Sequence, residues 1–404
     1  MPKQERELKP PALVFEYTDP EEGFQGWLVI DTLDHCLSAG GMRIQPGLTR
    51  ERLTAMARNM TCKMRICGLR VDGAKSGIDY DPSSPGKQAA ISRFIDAIRP
   101  YIVSNYSMGP DLNTTMAELD AAARGLGLPS VKMAVAMAQG WDLAYFRERY
   151  RILGLEIDGW PLAKIRAGYG VAVAVTALLD HLAVPCGGAT AAIQGFGALA
   201  RAAAWGLHRK GVRIRAMADQ EKCLVATSGS GLDISRLLRA PGPLLPASGY
   251  GSNVRMAGRE EVCRVPCDVL VPAAVEGTIT GEVAGKLQVR AVVPGANLAV
   301  TPEADTILYR RGIIVLPDLL AGSGGSLSME GLFAPEEHPQ PVEVLAHVEQ
   351  RMARLVNLTL ARSRQGNMRP AGAARSICAE AVPQPGTRPY GTPFVQEVSC
   401  RSMP

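Results

Sequence analysis

The run Ile193-Gln194-Gly195-Phe196-Gly197-Ala198-Leu199-Ala200 has the spacing G-x-G-x-x-A between a strand-like and a helix-like stretch, and Asp219 follows 24 residues after Gly195. Each position has a mechanical use. Gly195 permits a tight turn, Gly197 lets the backbone approach a pyrophosphate, Ala200 allows close packing of helix on strand, and N–H groups at the helix start face the anion. Gly195, Phe196, Gly197, Ala198 and Leu199 therefore form the expected cofactor-binding turn, with Asp219 accepting from the adenosine ribose hydroxyls. A glycine fingerprint alone also describes a tight turn in any α/β protein; strand, helix and acid together select the dinucleotide. The charge of Asp219 favours NAD by repelling a 2'-phosphate, and nearby Lys222 leaves NADP open. A second chemical signal is Lys63, about 20° from Met56 at about 100° per residue. It sits at the margin of a helical stripe of Leu53, Met56, Ala57, Met60, Met64 and Cys67. A lysine there faces the interior or a cleft and needs a partner, whereas taken alone it reads as an ordinary surface residue.

The elements that must hold these groups fall into two α/β regions. Over residues 1–153, strand-like runs at 28–30 and 102–103 alternate with amphipathic helices, one starting near Thr49, and no glycine fingerprint occurs. Over 154–332, strand 190–194, helix 198–209 and strand 212–218 are followed by apolar runs at 269–271, 289–293 and 312–316, the pattern of a parallel sheet with crossover helices. Thr301-Pro302 reads as an N-cap and first helical position, with Glu303 and Asp305 complementing the helix dipole. Helices at 342–363 and 371–382 are expected to pack back on the first domain as a 333–382 segment, ahead of a poorly ordered 383–404 tail. The predicted fold is α/β with two domains: an N-terminal substrate domain and a Rossmann-type dinucleotide-binding domain, with the active-site cleft between them.

Composition narrows the function. At 404 residues and 47% hydrophobic content the chain can bury a sizeable core without disulfides. Its net charge of +5 is scattered rather than gathered into a block, which disfavours nucleic acid as a partner. The 9 cysteines and 5 histidines show no zinc spacing, so no metal site is expected, and reduced thiols suit a cytoplasmic protein. The charged N-terminus lacks an apolar run behind it, which argues against a secretory signal. The most apolar stretch, 168–179, falls short of the roughly 20 residues a membrane span needs.

Four clusters occur in order ahead of the fingerprint: Gly40-Gly41-Met42-Arg43, Met60-Thr61-Cys62-Lys63-Met64, Gly73-Ala74-Lys75-Ser76-Gly77-Ile78 and Gly109-Pro110-Asp111-Leu112-Asn113-Thr114. Together they resemble the glutamate/leucine/phenylalanine/valine dehydrogenase family, with its GG-x-R, MT-x-K, GGAKGGI and PDVNT patterns. The resemblance continues through Pro272-Ala273-Ala274, Gly295-Ala296-Asn297, Thr301-Pro302-Glu303-Ala304-Asp305 and Pro317-Asp318-Leu319-Leu320-Ala321, covering 31–325. It implies oxidative deamination of an amino acid, or reductive amination of its 2-oxo acid with ammonia, by a homo-oligomer using NAD or NADP. By the same resemblance Lys63 holds the substrate α-carboxylate beside Gly40 and Gly41. Lys75 activates water and polarises the carbonyl, and Asp111 trades a proton with the amine or ammonia. Ala273 and Asn297 belong to the cofactor side, and Asn297 also orients the carboxylate. The chemistry agrees: deamination needs a cation for the carboxylate, a base for water and a second acid/base at nitrogen.

Departures from the family pattern point to a specialised substrate or to lost activity. Asp72 replaces the first glycine of GGAK, Gly322 stands where the pattern has asparagine, and Ala163 and Ala167 stand at its arginine and threonine positions. Each polar group lost from a dry site costs on the order of 1–3 kcal/mol. Glutamate-specific members carry a lysine just before GG-x-R and a serine on a later helix; those positions here are Ala39 and Met329. The pocket is thus expected to take a neutral, apolar side chain. The alternative is a nucleotide-binding regulator or subunit of the same fold without turnover.

Overall fold

The computed structural model describes residues 9–391 apart from positions 249 and 251. The chain forms two compact units, one of residues up to 149 joined by those from 381 onward, the other of 150–380. In the first, β1 (Leu13–Thr18), β2 (Gln25–Ile30), β3 (Ser38–Ile44), β4 (Asp72–Ile78) and β5 (Tyr106–Pro110) form one sheet of order β1-β2-β4-β3-β5. The pairs β3–β4 and β3–β5 are parallel, and β1–β2 and β2–β4 antiparallel. Strand alternation divides this sheet chemically. Ala74 and Ile78 of β4 join Met42, Met108, Phe94, Ile102 and Leu119 in one apolar core, leaving Gly73, Lys75 and Gly77 on the other face.

Helix α1 (Arg50–Ile66) starts where the sequence places it, with the Thr49 hydroxyl accepting from the Arg52 amide. Its apolar stripe buries Leu53, Met56 and Ala57 against Val29. It lies so close to β4 that a Cβ on Gly73 would stand 2.0 Å from the Thr61 amide nitrogen. The opposite face is covered by helices that include α2 (Lys87–Ala97), α3 (Arg99–Ser104) and α4 (Met116–Gly125). The expected strand at 102–103 is thus a helix: Ile98 and Ile102 sit four apart on one buried face, and the strand follows at 106. Helices α5 (Ala134–Gln139) and α6 (Leu143–Arg151) lead on toward the second unit.

The second unit begins with a small pair, β6 (Glu156–Ile157) and β7 (Trp160–Pro161), and helix α7 (Leu162–His181). Its main sheet contains β8 (Thr190–Gln194), β9 (Arg213–Ala218), β10 (Lys222–Ala226), β11 (Val254–Gly258), β12 (Val269–Pro272), β13 (Ala291–Val292) and β14 (Ile314–Val315), in the order β11-β10-β9-β8-β12-β13-β14. Helices α8 (Ala198–Arg209), α9 (Ile234–Leu237), α10 (Gly281–Lys286), α11 (Pro302–Arg310), α12 (Asp318–Ala321), α13 (Gly324–Phe333), α14 (Pro341–Gln365) and α15 (Pro370–Glu380) complete it. The sheet is mixed rather than purely parallel. Only residues 219–221 separate β9 from β10, too few for a crossover, so β10 turns back antiparallel and β11 pairs antiparallel with it. Thr301 caps α11 as its sequence indicates, accepting from the Ala304 amide.

Two further expectations are corrected. The C-terminal helices α14 and α15 belong to the second unit, not the first. Helix α7 is buried nearly all round and needs cover on several sides, which α8, α13 and α14 supply. That helix is 20 residues long, longer than the apolar stretch read from sequence, and by length and composition it could span a membrane; most of it is enclosed by its own unit. Residues 383–391, expected as loose tail, return to the first unit: Tyr390 is buried, its amide donates to Gln139, and Arg70 donates to the carbonyls of Arg388 and Gly391. Positions 392–404 lie outside the described residues.

Candidate active site

The first unit brings Lys75, Arg43 and Asp111 to one point. Lys75 Nζ and Arg43 Nε each lie 2.8 Å from Asp111 Oδ2. The strands place them: Ala39 pairs with Gly73 and Met42 with Ser76, so Gly41 stands beside Lys75, and Gly41 in turn pairs with Gly109 of β5. The two glycines of β3 are required by contact. A Cβ on Gly40 would fall 1.7 Å from the Ala74 carbonyl oxygen, and one on Gly41 would meet Asp111 Cβ at 2.9 Å. The turn bearing Asp111 is tied to the end of β3. Thr114 Oγ1 accepts from the Asp111 amide and donates to the Met42 carbonyl, while Asn113, at a φ of 62°, donates to the Ile44 carbonyl. Asparagine tolerates that left-handed conformation better than most residues. Burial alone would raise the pKa of Asp111, but the charges of Lys75 and Arg43 and the hydrogen bonds they donate outweigh it and hold the carboxyl far below its usual range.

Lys63 occupies the buried side of α1 with 6% of its surface exposed, as the stripe suggests. Asp72, the departure at the GGAK motif, is a structural anchor. Its Oδ1 accepts from the Thr32 hydroxyl at 2.7 Å and lies 3.1 Å from His35 Nδ1, while Oδ2 accepts from the His35 amide at 2.8 Å. Ala39 is half-buried on the Gly41 face of β3.

The second unit brings together the motifs expected to hold the cofactor. Gly195 has a φ of 121°, and a Cβ there would lie 2.8 Å from the Ala273 carbonyl oxygen. Gly197 caps α8 with no side-chain hydrogen bond and nothing within 4 Å of an added Cβ. An exposed helix start with open space before it fits a pyrophosphate. Ala198 and Leu199 open that helix, whereas the Phe196 ring is buried beneath the Arg201 guanidinium, so only its backbone can serve a cofactor. The Gly295 and Ala296 amides donate to the Pro272 carbonyl, which joins the Pro272–Ala274 and Gly295–Asn297 motifs. Leu298, at φ 54°, donates its amide to Asp318 Oδ2, so the Pro317-Asp318 motif pins the loop that carries Asn297. Asp219 follows directly on β9, but its carboxylate accepts from the amides of Glu221, Lys222 and Leu245. Of its roughly four lone-pair positions about one is left for a ribose hydroxyl. Met329 is buried on α13.

Sequence reasoning missed three cations. Arg43 carried a signal, as the arginine of its GG-x-R motif. Arg166, next to Ala167 in the segment already compared with the family pattern, donates to the Gly325 carbonyl and to Ser328 Oγ; Lys132, buried close to Gly109, belongs to no recognised pattern.

Residues 161–383 match the family model described as Glutamate/Leucine/Phenylalanine/Valine dehydrogenase, and 11–125 match that of the Glu/Leu/Phe/Val dehydrogenase dimerisation domain. The chain is 31% identical over 316 residues to a glutamate dehydrogenase of Thermotoga maritima, covering 75% of this chain and 71% of that protein. It is 28% identical over 347 residues to an NAD-specific glutamate dehydrogenase of Peptoniphilus asaccharolyticus, covering 79% and 76%. Among solved structures, the leucine-bound hetero-hexameric glutamate dehydrogenase of Thermus thermophilus superposes with a TM-score of 0.74 at 28% identity, covering 92% of this chain and 88% of the other.

Proposed function

Since the chain belongs to the glutamate/leucine/phenylalanine/valine dehydrogenase family and is an NAD(P)-dependent oxidoreductase acting on CH–NH2 donors, we propose that it oxidatively deaminates a neutral, apolar L-amino acid, or aminates the matching 2-oxo acid, with NAD preferred. The observation that carries this reading is the Lys75–Asp111 contact at 2.8 Å on a glycine-floored sheet face. When bound, the nicotinamide would accept the hydride from the substrate Cα. Lys63 holds the α-carboxylate, and Lys75, as it passes its own proton through Asp111 to the nitrogen, takes the proton of the water that adds at the imine carbon. Asp111, held ionised, passes protons to and from the nitrogen as a relay, because its low basicity makes it a poor proton store. The helix start at Gly197 and the turn at Gly195 would hold the pyrophosphate. Ala39 and Met329 offer no cation to a distal carboxylate, which supports a neutral side chain at a preference of roughly 10² or more over glutamate. The match to a dimerisation-domain model supports assembly into a homo-oligomer.

Nicotinamide absorbance with a panel of amino acids, and with 2-oxo acids plus ammonia, tests the reading. Lys75→Ala should lower kcat by about 10² or more, and Lys63→Ala should chiefly raise KM. Near-normal kinetics in both variants would remove the assignment. Glutamate matching leucine, valine, phenylalanine and tryptophan in kcat/KM would remove the neutral pocket. If the cofactor binds and no substrate turns over, the losses at Ala163, Ala167 and Gly322 favour the regulator or subunit instead.

A further inference from the structure

We propose that Lys132 is a substrate-binding residue, its ammonium taking a carboxylate oxygen of the bound amino or 2-oxo acid; this rests on the dehydrogenase reading above. The position follows from the sheet. The Met108 amide donates to the Val131 carbonyl at 3.0 Å, so this segment runs beside β5, the edge strand. Val131 is fully buried in the apolar core with Met108 and Leu119. Lys132, the next residue, reaches the opposite face, where its Nζ lies 3.7 Å from the point a Cβ on Gly109 would occupy. That is the face of Lys75. Gly109 pairs with Gly41, Gly41 stands beside Lys75, and Asp111 follows Gly109 by two residues along the chain.

Gly109 and Gly41 lie between the strand of Lys75 and the ammonium of Lys132, with Asp111 Cβ standing over Gly41 and nothing closer than Lys132 Nζ over Gly109. Neighbouring strands are about 4.8 Å apart, so β4 and β5 are separated by roughly 10 Å, a span that a small amino acid held between Lys75 and Lys132 would bridge. Arg43 and Lys75 share the carboxylate of Asp111 on this face, and Lys132 stands on the same face with 6% of its surface exposed. The lysine that glutamate-specific members carry at the position of Ala39 would rise from this same face, and Lys132 reaches it from another element.

Lys132→Met and Lys132→Gln, checked by thermal melting and NADH binding, are compared with the unmodified protein for turnover and for equilibrium binding of apolar 2-oxo acids and of 2-oxoglutarate. The expected result is a rise in KM and Kd of tenfold or more with kcat changed less than threefold, and partial recovery in Lys132→Arg. A rise shared by all acids assigns the contact to the α-carboxylate. A rise confined to 2-oxoglutarate assigns it to a side-chain carboxylate, which upholds Lys132 and overturns the neutral-substrate reading. Unchanged KM and Kd in a folded variant overturns the proposal; if Lys132→Met does not fold, Lys132→Gln decides by the same measures. Should the unmodified protein bind 2-oxo acids without turning them over, the dehydrogenase reading fails and Kd alone decides Lys132. Absence of both binding and turnover overturns the two together.

Discussion

Asp111 receives two cations at one carboxylate oxygen, and this sets its behaviour with pH. Its folded pKa is depressed, so the stability it contributes is present above the ordinary carboxyl value near ~3.9 and is lost only as pH falls through the folded value. Across the neutral range its charge is constant. The acid limb of kcat/KM against pH should therefore persist in Asp111→Asn even as kcat falls by about 10²; disappearance of that limb would make Asp111 the titrating group. Asp219 shows why a residue can be legible in type and misread in use. Its distance from the fingerprint marks it as the ribose acid, but nothing in that spacing reveals that three backbone amides already bind it. NAD and NADP titrations measure what remains: tighter NAD binding is expected, and equal or tighter NADP binding would mean that Lys222 or a neighbour captures the 2'-phosphate.

Among the elements, β4 carries the clearest exchange of one role for another. Where the family pattern has glycine, Asp72 fastens the 32–35 segment, and His35 links onward by accepting from the Gln384 amide at its other ring nitrogen. Restoring the glycine with Asp72→Gly should therefore destabilise the protein by about 2–4 kcal/mol in denaturant titrations, with a lower midpoint and an unchanged slope. An unchanged midpoint would show that the anchor is dispensable. A second cluster joins β1, β2 and α2. Asp19 accepts from Arg93, Tyr17 and two backbone amides; burial acts to raise its pKa, but these bonds hold it at about 2. This depressed carboxyl stabilises the fold above pH ~4, and that share should be lost progressively toward pH ~2. In Arg93→Ala the acid unfolding midpoint should move to higher pH. Elements with long stripes, such as α1 and α14, were legible because burial imposes a 3.6-residue period. Their partners were not: an amphipathic face states that it must be covered, without saying by what, and so α14 was expected on the wrong unit. The pair Ile102-Val103 was too short to have a period at all.

At the scale of the whole molecule, the proposed chemistry divides between units, with Lys63, Lys75 and Asp111 in one and the glycine turn proposed for the dinucleotide in the other. This division was readable because the motifs occur in separate blocks of chain. The antiparallel return of β10 was not, since it depends on a three-residue hairpin whose closure rests on Asp219. Deleting the residues after 380 should lower the melting temperature of the first unit while leaving NADH binding by the second intact; a single unchanged transition would show that residues 381–391 add nothing. Those residues also bear on synthesis. The slot filled by Tyr390, with its bonds to Gln139, is made from the first unit, yet residues 150–380 must be translated before its occupant exists. At a translation rate of about 5–20 residues per second, the nascent first unit waits on the order of ten to fifty seconds with that slot empty. Ribosome-bound chains should therefore present to chaperones and proteases a seam that the finished protein has closed.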